Sequence, residues 1–283
     1  MIVIIDSGST KADWCIIKEN QSIAQFSTAG LNPYFTNSED IKKEVLHTFP
    51  PFHDRNGVKK ILFFGAGCAS NDKKAIINSA FLSLFPLSDI FIESDMFGAA
   101  KALFHNDEGI AVILGTGSNS CLWNGQSIIA NSPSLGYILG DEGSGAHLGL
   151  TLSKRYLNNQ LPQELKSLLE DSYPISRDIL LENVYRKPFP NRFLAHYTYF
   201  LKENSTHPYI KFMVSECFLD FFDKHIKYFN NFNNYKIRFI GSIAFHFQEI
   251  LEECSLASEI EIDSIIQSPI EKLVQIYSTV KNE

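Results

Sequence analysis

The chain has 283 residues, of which 45% are hydrophobic and 20% charged, and its formal net charge is −7. That length is generous for one hydrophobic core and comfortable for two. The acidic balance, with lysines and arginines scattered and never clustered, argues against a nucleic-acid partner, which requires a concentrated basic surface.

Residues 1–6 are rich in Ile and Val and read as a buried strand. After the turn Ser7-Gly8-Ser9-Thr10, strands are predicted near Ala12–Lys18 and Ser22–Ser27, an antiparallel hairpin extended by one strand. Ser38–Thr48 reads as a helix capped by Ser38. A strand at Lys60–Gly65, a helix at Asn71–Leu84, a strand at Ile90–Glu93 and a helix at Met96–Phe104 follow. The pattern then restarts: an apolar strand Gly109–Leu114, the turn Gly115-Thr116-Gly117-Ser118, and strands near Ser120–Trp123 and Ser127–Ile129. Strand, glycine turn, strand, strand thus occurs twice, which predicts two related α/β domains. Their boundary is expected near His105–Gly109, giving domains at 1–106 and 107–267. Beyond it the chain reads as mainly helical, with a long helix Asp141–Asn158 and others near Pro162–Glu170, Arg177–Tyr185, Arg192–Lys202, Pro208–Phe229 and Ile243–Cys254. Short strands at Ile237–Ile240 and Glu259–Ile262 and a final helix Pro269–Val280 complete the pattern. Met213, Cys217, Phe218, Phe221, Phe222 and Ile226 form a stripe at helical spacing, read as core.

No apolar run approaches the roughly 20 residues that span a bilayer, and the opening run Met1–Asp6 lacks a basic leader or cleavage site. A cytoplasmic protein without a membrane partner is expected. Cys15, Cys68, Cys121, Cys217 and Cys254 are odd in number and form no CxxC pair, which predicts buried reduced thiols.

Five motifs carry chemistry. In Asp6-Ser7-Gly8-Ser9-Thr10-Lys11 a carboxylate ends a strand, and Gly8 is expected to adopt a backbone conformation that turns amides toward an anion. Thr10 adds a hydroxyl, Lys11 a cation, and Asp6 could hold Mg²⁺ through water, since Mg²⁺ dehydrates reluctantly. Gly115-Thr116-Gly117-Ser118-Asn119 is neither a Walker loop nor a dinucleotide fingerprint, because no Gly-Lys-Ser/Thr and no helix follow. Two such hairpins could each clamp one end of a polyphosphate. Asp95 stands between a strand and a helix, as an N-cap or a general base, with Gly98 and its alanine neighbours favouring close helix packing. Gly140-Asp141-Glu142-Gly143-Ser144 places glycines and acids at a predicted helix start, where glycine is unfavourable without a packing or ligand reason. Ile240-Gly241-Ser242-Ile243 is a strand-to-helix junction tight enough for a flat ring to lie against the backbone.

With all five in order, the sequence resembles the actin-like ATPase and sugar kinase superfamily, and more narrowly the BadF/BadG-type ATPase family and the N-acetylglucosamine kinases within it. Gly115–Asn119, Gly140–Ser144 and Ile240–Ile243 carry the likeness, which runs from residue 1 to about 255, together with Gly30-Leu31-Asn32-Pro33. The resemblance implies two actin-like (ribonuclease H-like) domains flanking an active-site cleft, with the final helix 268–283 packing back on the first. It implies ATP and Mg²⁺ as cofactors, an amino sugar as acceptor and a homodimer. Asp95 would be the base for the sugar hydroxyl. Asn32, Asn119 and Asp141 would bind the sugar, and Ser134 to Ile138, with Leu135, Gly136 and Tyr137 among them, would line its pocket. Gly8, Ser9, Thr10, Lys11, Thr116 and Gly117 would hold phosphates; Gly241 and Ser242 would lie beside the adenosine. Ser7 and Ser9 stand where relatives often have glycine, and Leu135 where a tryptophan is common in the animal enzymes. A cluster-bearing dehydratase activator and a non-catalytic sugar-sensing regulator are the alternatives. The Asp-Ile-Gly-Gly-Gln stretch of the first is absent, and the DNA-binding helix-turn-helix that related repressors carry ahead of the first phosphate loop is not expected, since that loop begins at residue 6.

Overall fold

The computed structural model describes residues 1–50 and 54–279, and the chain forms two α/β units. The first comprises residues 1–107, Trp123–Ile128 and the segment from Ser268 onward; the second comprises Glu108–Leu122 and Ile129–Gln267.

The first unit contains β1 (Ile2–Ser7), β2 (Lys11–Lys18), β3 (Gln21–Ala29), β4 (Lys60–Gly65) and β5 (Asp89–Ser94), in the order β3-β2-β1-β4-β5. β1 is antiparallel to β2 and β2 to β3, whereas β4 runs parallel to β1 and β5 to β4. Period-two alternation sends Val3, Ile5, Trp14, Ile16, Ile61 and Phe63 to one face, where Ile41, Val45, Ile77 and Phe81 of helices Ser38–Thr48 and Asn71–Leu84 cover them. The alternate residues Ile4, Cys15, Ile17, Leu62 and Phe64 face the other way, onto Ala102 and Leu273 of helices Asp95–Phe104 and Ile270–Thr279. Both faces are covered, so β1 and β4 read as unbroken apolar runs. Trp14 spends its one polar atom on Thr28 Oγ1, 3.0 Å away.

The second sheet consists of β6 (Gly109–Leu114), β7 (Ser118–Trp123), β8 (Ile128–Asn131), β9 (Ile237–Ile240) and β10 (Ile262–Ile266), in the order β10-β9-β6-β7-β8, with only the outer ends of β7 and β8, Trp123 and Ile128, grouped with the first unit. Read from its other edge, this is the order of the first sheet, strand for strand. β9 is parallel to β6 and β10 to β9, matching β4 and β5. The chain is therefore an α/β protein of two actin-like units with one topology. All six residues of the predicted helical stripe are buried, and Phe221 and Phe222 both pack edge-on against Phe239 of β9. All five cysteines are buried and free.

Several expectations are corrected. The long helix Asp141–Asn158 is instead a short helix Gly136–Leu139, an irregular turn, and a helix Gly145–Leu157. Asp141 and Gly143 have φ of +55 and +71, which a right-handed helix excludes, and the Ser144 side chain caps the helix by accepting the His147 amide. Asn37, not Ser38, caps the helix Ser38–Thr48. Arg192–Lys202 resolves into helices Pro190–His196 and Thr198–Glu203, and Ile243–Cys254 into Ser242–His246 and Gln248–Ala257. The helix from Pro208 ends at Phe221 and passes into a π-helical turn, Phe222–Ile226. The last strand begins at Ile262, because Glu259 turns the chain at φ +59. Val280, the predicted end of the final helix, lies outside the described residues.

Candidate functional site

In each unit the chemistry-bearing residues collect at the carboxyl ends of the parallel strands, where open α/β sheets present their loops to ligands. In the first unit Ser7, Gly65 and Ser94 stand level across β1, β4 and β5. Asp6 is therefore one residue inside this edge and Asp95 one residue beyond it. The capping role belongs to Ser94, whose Oγ accepts the Phe97 amide at 3.2 Å. Asp95 sits in the first turn, with Oδ1 accepting its neighbour's amide, Met96 N, at 2.9 Å. Close packing of this helix is real: a Cβ on Gly98 would come within 2.7 Å of Phe64 Cβ.

The two acids are crowded. Burial pushes Asp6 up to about 8, and the charges of Asp95 and Asp13 add to it against Lys11. Burial likewise raises Asp95 to about 6, opposed by the amides of Met96 and Asp95. The exposed Lys11 ammonium pairs with Asp13 at 2.7 Å. The turn between them is closed by Gly8 N on Lys11 O at 2.9 Å. Gly8 is not among the positive-φ glycines, and a Cβ there would meet only Lys11 O at 3.5 Å. The tight position is Gly30, where a Cβ would fall 2.4 Å from Gly8 O. Its segment is strapped over the turn by Gly30 N on Thr10 O at 3.0 Å, Leu31 N on the buried Ser7 Oγ at 2.9 Å, and Asn32 Nδ2 on Ser9 Oγ at 3.3 Å. Asn32 Oδ1 accepts the Tyr34 amide, so this side chain organises the loop as well as facing it.

In the second unit Gly115 N bonds Gly117 O at 3.0 Å, and the carbonyls of Gly115 and Thr116 accept the amides of Gly145 and Ala146 at 2.8 and 3.0 Å. The turn is thereby docked on the start of helix Gly145–Leu157. Asp141 lies against it: a Cβ on Gly117 would sit 3.1 Å from Asp141 Oδ2, and the Ser118 amide points to Oδ1 at 3.5 Å. Burial raises Asp141 to about 6, with the Ser118 amide opposing and Glu142 adding. Beside it Ser118 Oγ and Asn119 Oδ1 are buried with no hydrogen-bond partner, a costly state that a bound polar ligand would relieve. Ser118 closes the Gly-Thr-Gly-Ser motif, and that position is the one signal for it that the sequence carries. Gly241 has φ +125, and a Cβ there would lie 2.2 Å from Leu114 O, so only glycine lets β9 turn into helix Ser242–His246 against the end of β6. Adenosine-loop and phosphate-turn candidates are thus adjacent.

The structure brings Asp6, Gly8, Thr10, Asn32 and Asp95 to one sheet edge, and Thr116, Gly117, Asn119, Asp141, Gly241 and Ser242 to the other. Gly136 and Tyr137 lie on the short helix Gly136–Leu139 and Leu135 directly precedes it; Leu135 and Ile138 are 57% and 72% exposed.

No family model matches the chain. A solved structure from Porphyromonas gingivalis, described as a candidate N-acetylglucosamine kinase, superposes with a TM-score of 0.93 at 41% identity, over 99% of each chain. The chain belongs to this N-acetylglucosamine kinase family. A second member, an N-acetylmuramic acid/N-acetylglucosamine kinase from Clostridium acetobutylicum, is 31% identical over 138 residues, 47% of this chain. That match spans 45% of the curated relative's own length. A further candidate N-acetylglucosamine kinase, from Chromobacterium violaceum, shares the fold at 15% identity and a TM-score of 0.71, over 97% and 98% of the two chains.

Proposed function

We propose that this chain transfers the γ-phosphoryl group of ATP to a hydroxyl of an amino sugar, with the 6-hydroxyl of N-acetylglucosamine as the principal acceptor. The observation that carries the reading is Asp95. It is a carboxyl at the carboxyl edge of a parallel sheet, relieved of capping by Ser94 and raised by burial to about 6, in the direction a general base needs. Asp95 would accept the sugar hydroxyl proton as that oxygen attacks the γ-phosphorus and ADP leaves. Asn32, Asn119 and Asp141 would bind the sugar, joined by the orphaned Ser118 hydroxyl. The turns at Gly8–Lys11 and at Thr116-Gly117 would hold the phosphates, and Gly241-Ser242 the adenosine.

Mg²⁺ fits this set through Asp6. Among the described residues no group of three or more His, Cys, Asp or Glu side chains is disposed to hold a metal ion. The ion would therefore keep water and phosphate oxygens as most of its ligands, with Asp6 behind a water. Its chemistry there would be neutralisation of phosphate charge. A crowded acid such as Asp6, protonated at neutral pH, has a proton to give up when a cation arrives. A cytoplasmic homodimer completes the reading.

A coupled assay of ADP release over N-acetylglucosamine, N-acetylmuramic acid, glucosamine and N-acetylmannosamine tests it. N-acetylglucosamine should stimulate ADP release most, with ³¹P NMR placing the phosphate on O6. ATP turnover that is the same with and without every sugar would overturn the kinase reading.

A further inference from the structure

Glu142 follows Asp141 directly in the Gly140–Ser144 turn. It lies between two left-handed residues, Asp141 at φ +55 and Gly143 at φ +71. The backbone there has no helical ladder to hold it; its local bonds include Gly140 N on Gly136 O at 2.8 Å, and Ser144 N on Asp141 O and Gly143 N on His147 Nδ1, both at 3.1 Å. The Glu142 side chain supplies a longer-range hold. Its Oε2 is 3.0 Å from His225 Nε2, and its Oε1 accepts from Lys224 Nζ at 3.0 Å.

His225 is 2% exposed and sits in the π-helical turn Phe222–Ile226, a winding that recurs at functional sites. Its ring stacks on Phe221 at 5.0 Å, and Phe221 in turn is what a Cβ on Gly143 would strike, at 2.8 Å. His225 Nδ1 is 2.9 Å from Ser132 Oγ, and Ser132 Oγ is 2.8 Å from Ser120 Oγ, all buried. An ionised Glu142 only accepts, so Nε2 carries a hydrogen toward it; on the far side of the ring Nδ1 bonds the Ser132 hydroxyl, and Ser120 Oγ donates to Ser132 Oγ. Every buried polar atom in the line is used, the condition under which such a network rigidifies what it touches.

We propose that Glu142 and His225 are positioning residues for the sugar: the Ser120–Ser132–His225–Glu142 line fixes the turn at residues 140–144 and so presents Asp141 to the acceptor. The proposal rests on the reading that Asp141 binds sugar, and a double-mutant cycle separates the two. Steady-state kinetics and melting are measured for Glu142→Ala, Glu142→Gln, His225→Phe, Asp141→Ala and Glu142→Ala/Asp141→Ala. Glu142→Ala should raise the sugar KM about 10-fold, the scale on which losing an outer orienting partner is felt, while kcat and the ATP KM move little. Gln keeps an acceptor for the His225 Nε2 hydrogen, so Glu142→Gln should recover most of that loss. In the Asp141→Ala background Glu142→Ala should cost nothing further. A wild-type sugar KM in Glu142→Ala, a full additional loss on top of Asp141→Ala, or an equal rise in the ATP KM overturns the positioning role alone. An Asp141→Ala enzyme with unchanged sugar KM overturns the sugar role of Asp141, and the positioning role with it. Should His225→Phe fail to fold, the Glu142 series decides by itself.

Discussion

Asp6, Asp95 and Asp141 are raised by the same cause, burial at a sheet edge, yet only the two near 6 are mostly ionised at neutral pH. A base must be ionised to work, so the rate should climb as pH rises through about 6. Asp95→Asn should lower kcat at least ~10²-fold while circular dichroism and melting stay close to wild type, because its structural duty is bonding to amides of its own turn, which an Asn side-chain oxygen can also accept. An active, folded Asp95→Asn enzyme would remove the base from the mechanism. Asp95 was legible in the sequence as an acid at a strand-to-helix junction, but the choice between cap and base was not. That choice depends on which of two adjacent side chains reaches Phe97 N, a matter of rotamer and not of residue type. The hold on Glu142 could not have been read at all: its partner His225 lies 83 positions downstream, in a turn whose π winding no periodicity announces.

At the scale of elements, strands were the legible part. β1, β4, β6 and β9 are buried on both faces and so spell continuous apolar runs. Helix limits were less so where the chain changes direction without a Gly or Pro signal. Tyr197 and Phe247 each end one helix and cap the next, and both are buried aromatic residues whose pattern continues the helical stripe. The Gly140–Ser144 turn misled for the opposite reason: acids before an apolar run mimic a helix start, whereas left-handed backbone at Asp141 and Gly143 delays it to Gly145. The Gly241 junction combines a forbidden φ with backbone 2.2 Å from where a Cβ would go, so two independent penalties act on one substitution. Gly241→Ala should destabilise the protein by at least about 2 kcal/mol in a urea melt and, if the turn at Gly115–Gly117 binds phosphate as proposed, raise the ATP KM, since that turn adjoins Gly241 at the end of β6. An unchanged midpoint would mean the junction relaxes freely.

The whole molecule carries those acids as a pH-dependent load. A carboxyl whose folded value is raised binds protons that the unfolded chain releases, so its contribution is present below the unfolded value near 4 and is lost as pH rises through the folded one. For Asp95 and Asp141 the loss runs up to about 6, and for Asp6 up to about 8. Stability of the ligand-free protein should therefore decline from pH 6 to pH 8, chiefly through Asp6. Asp6→Asn should flatten that decline and raise Tm at pH 8 by a few degrees, on the order expected for a chain of this size. A Tm that rises from pH 6 to 8 in both proteins would show that Asp6 is ionised without a ligand. At this scale the duplicated architecture was visible in the repeated strand, glycine turn, strand, strand. That β9 and β10 extend the match to two complete sheets was not, because a long helical stretch separates them from β8.

The helix Ile270–Thr279 buries Leu273 against Ile4, Cys15 and Leu62, so the chain leaves the first unit after residue 107 and later returns to it. In mechanical terms, tension between Met1 and Thr279 runs through that one patch and bypasses the second unit. The first event under load would be the peeling of a ten-residue helix, paying out about 3.5 Å per residue. Until then the turn at residues 140–144, which belongs to the second unit, stays outside the path of the force.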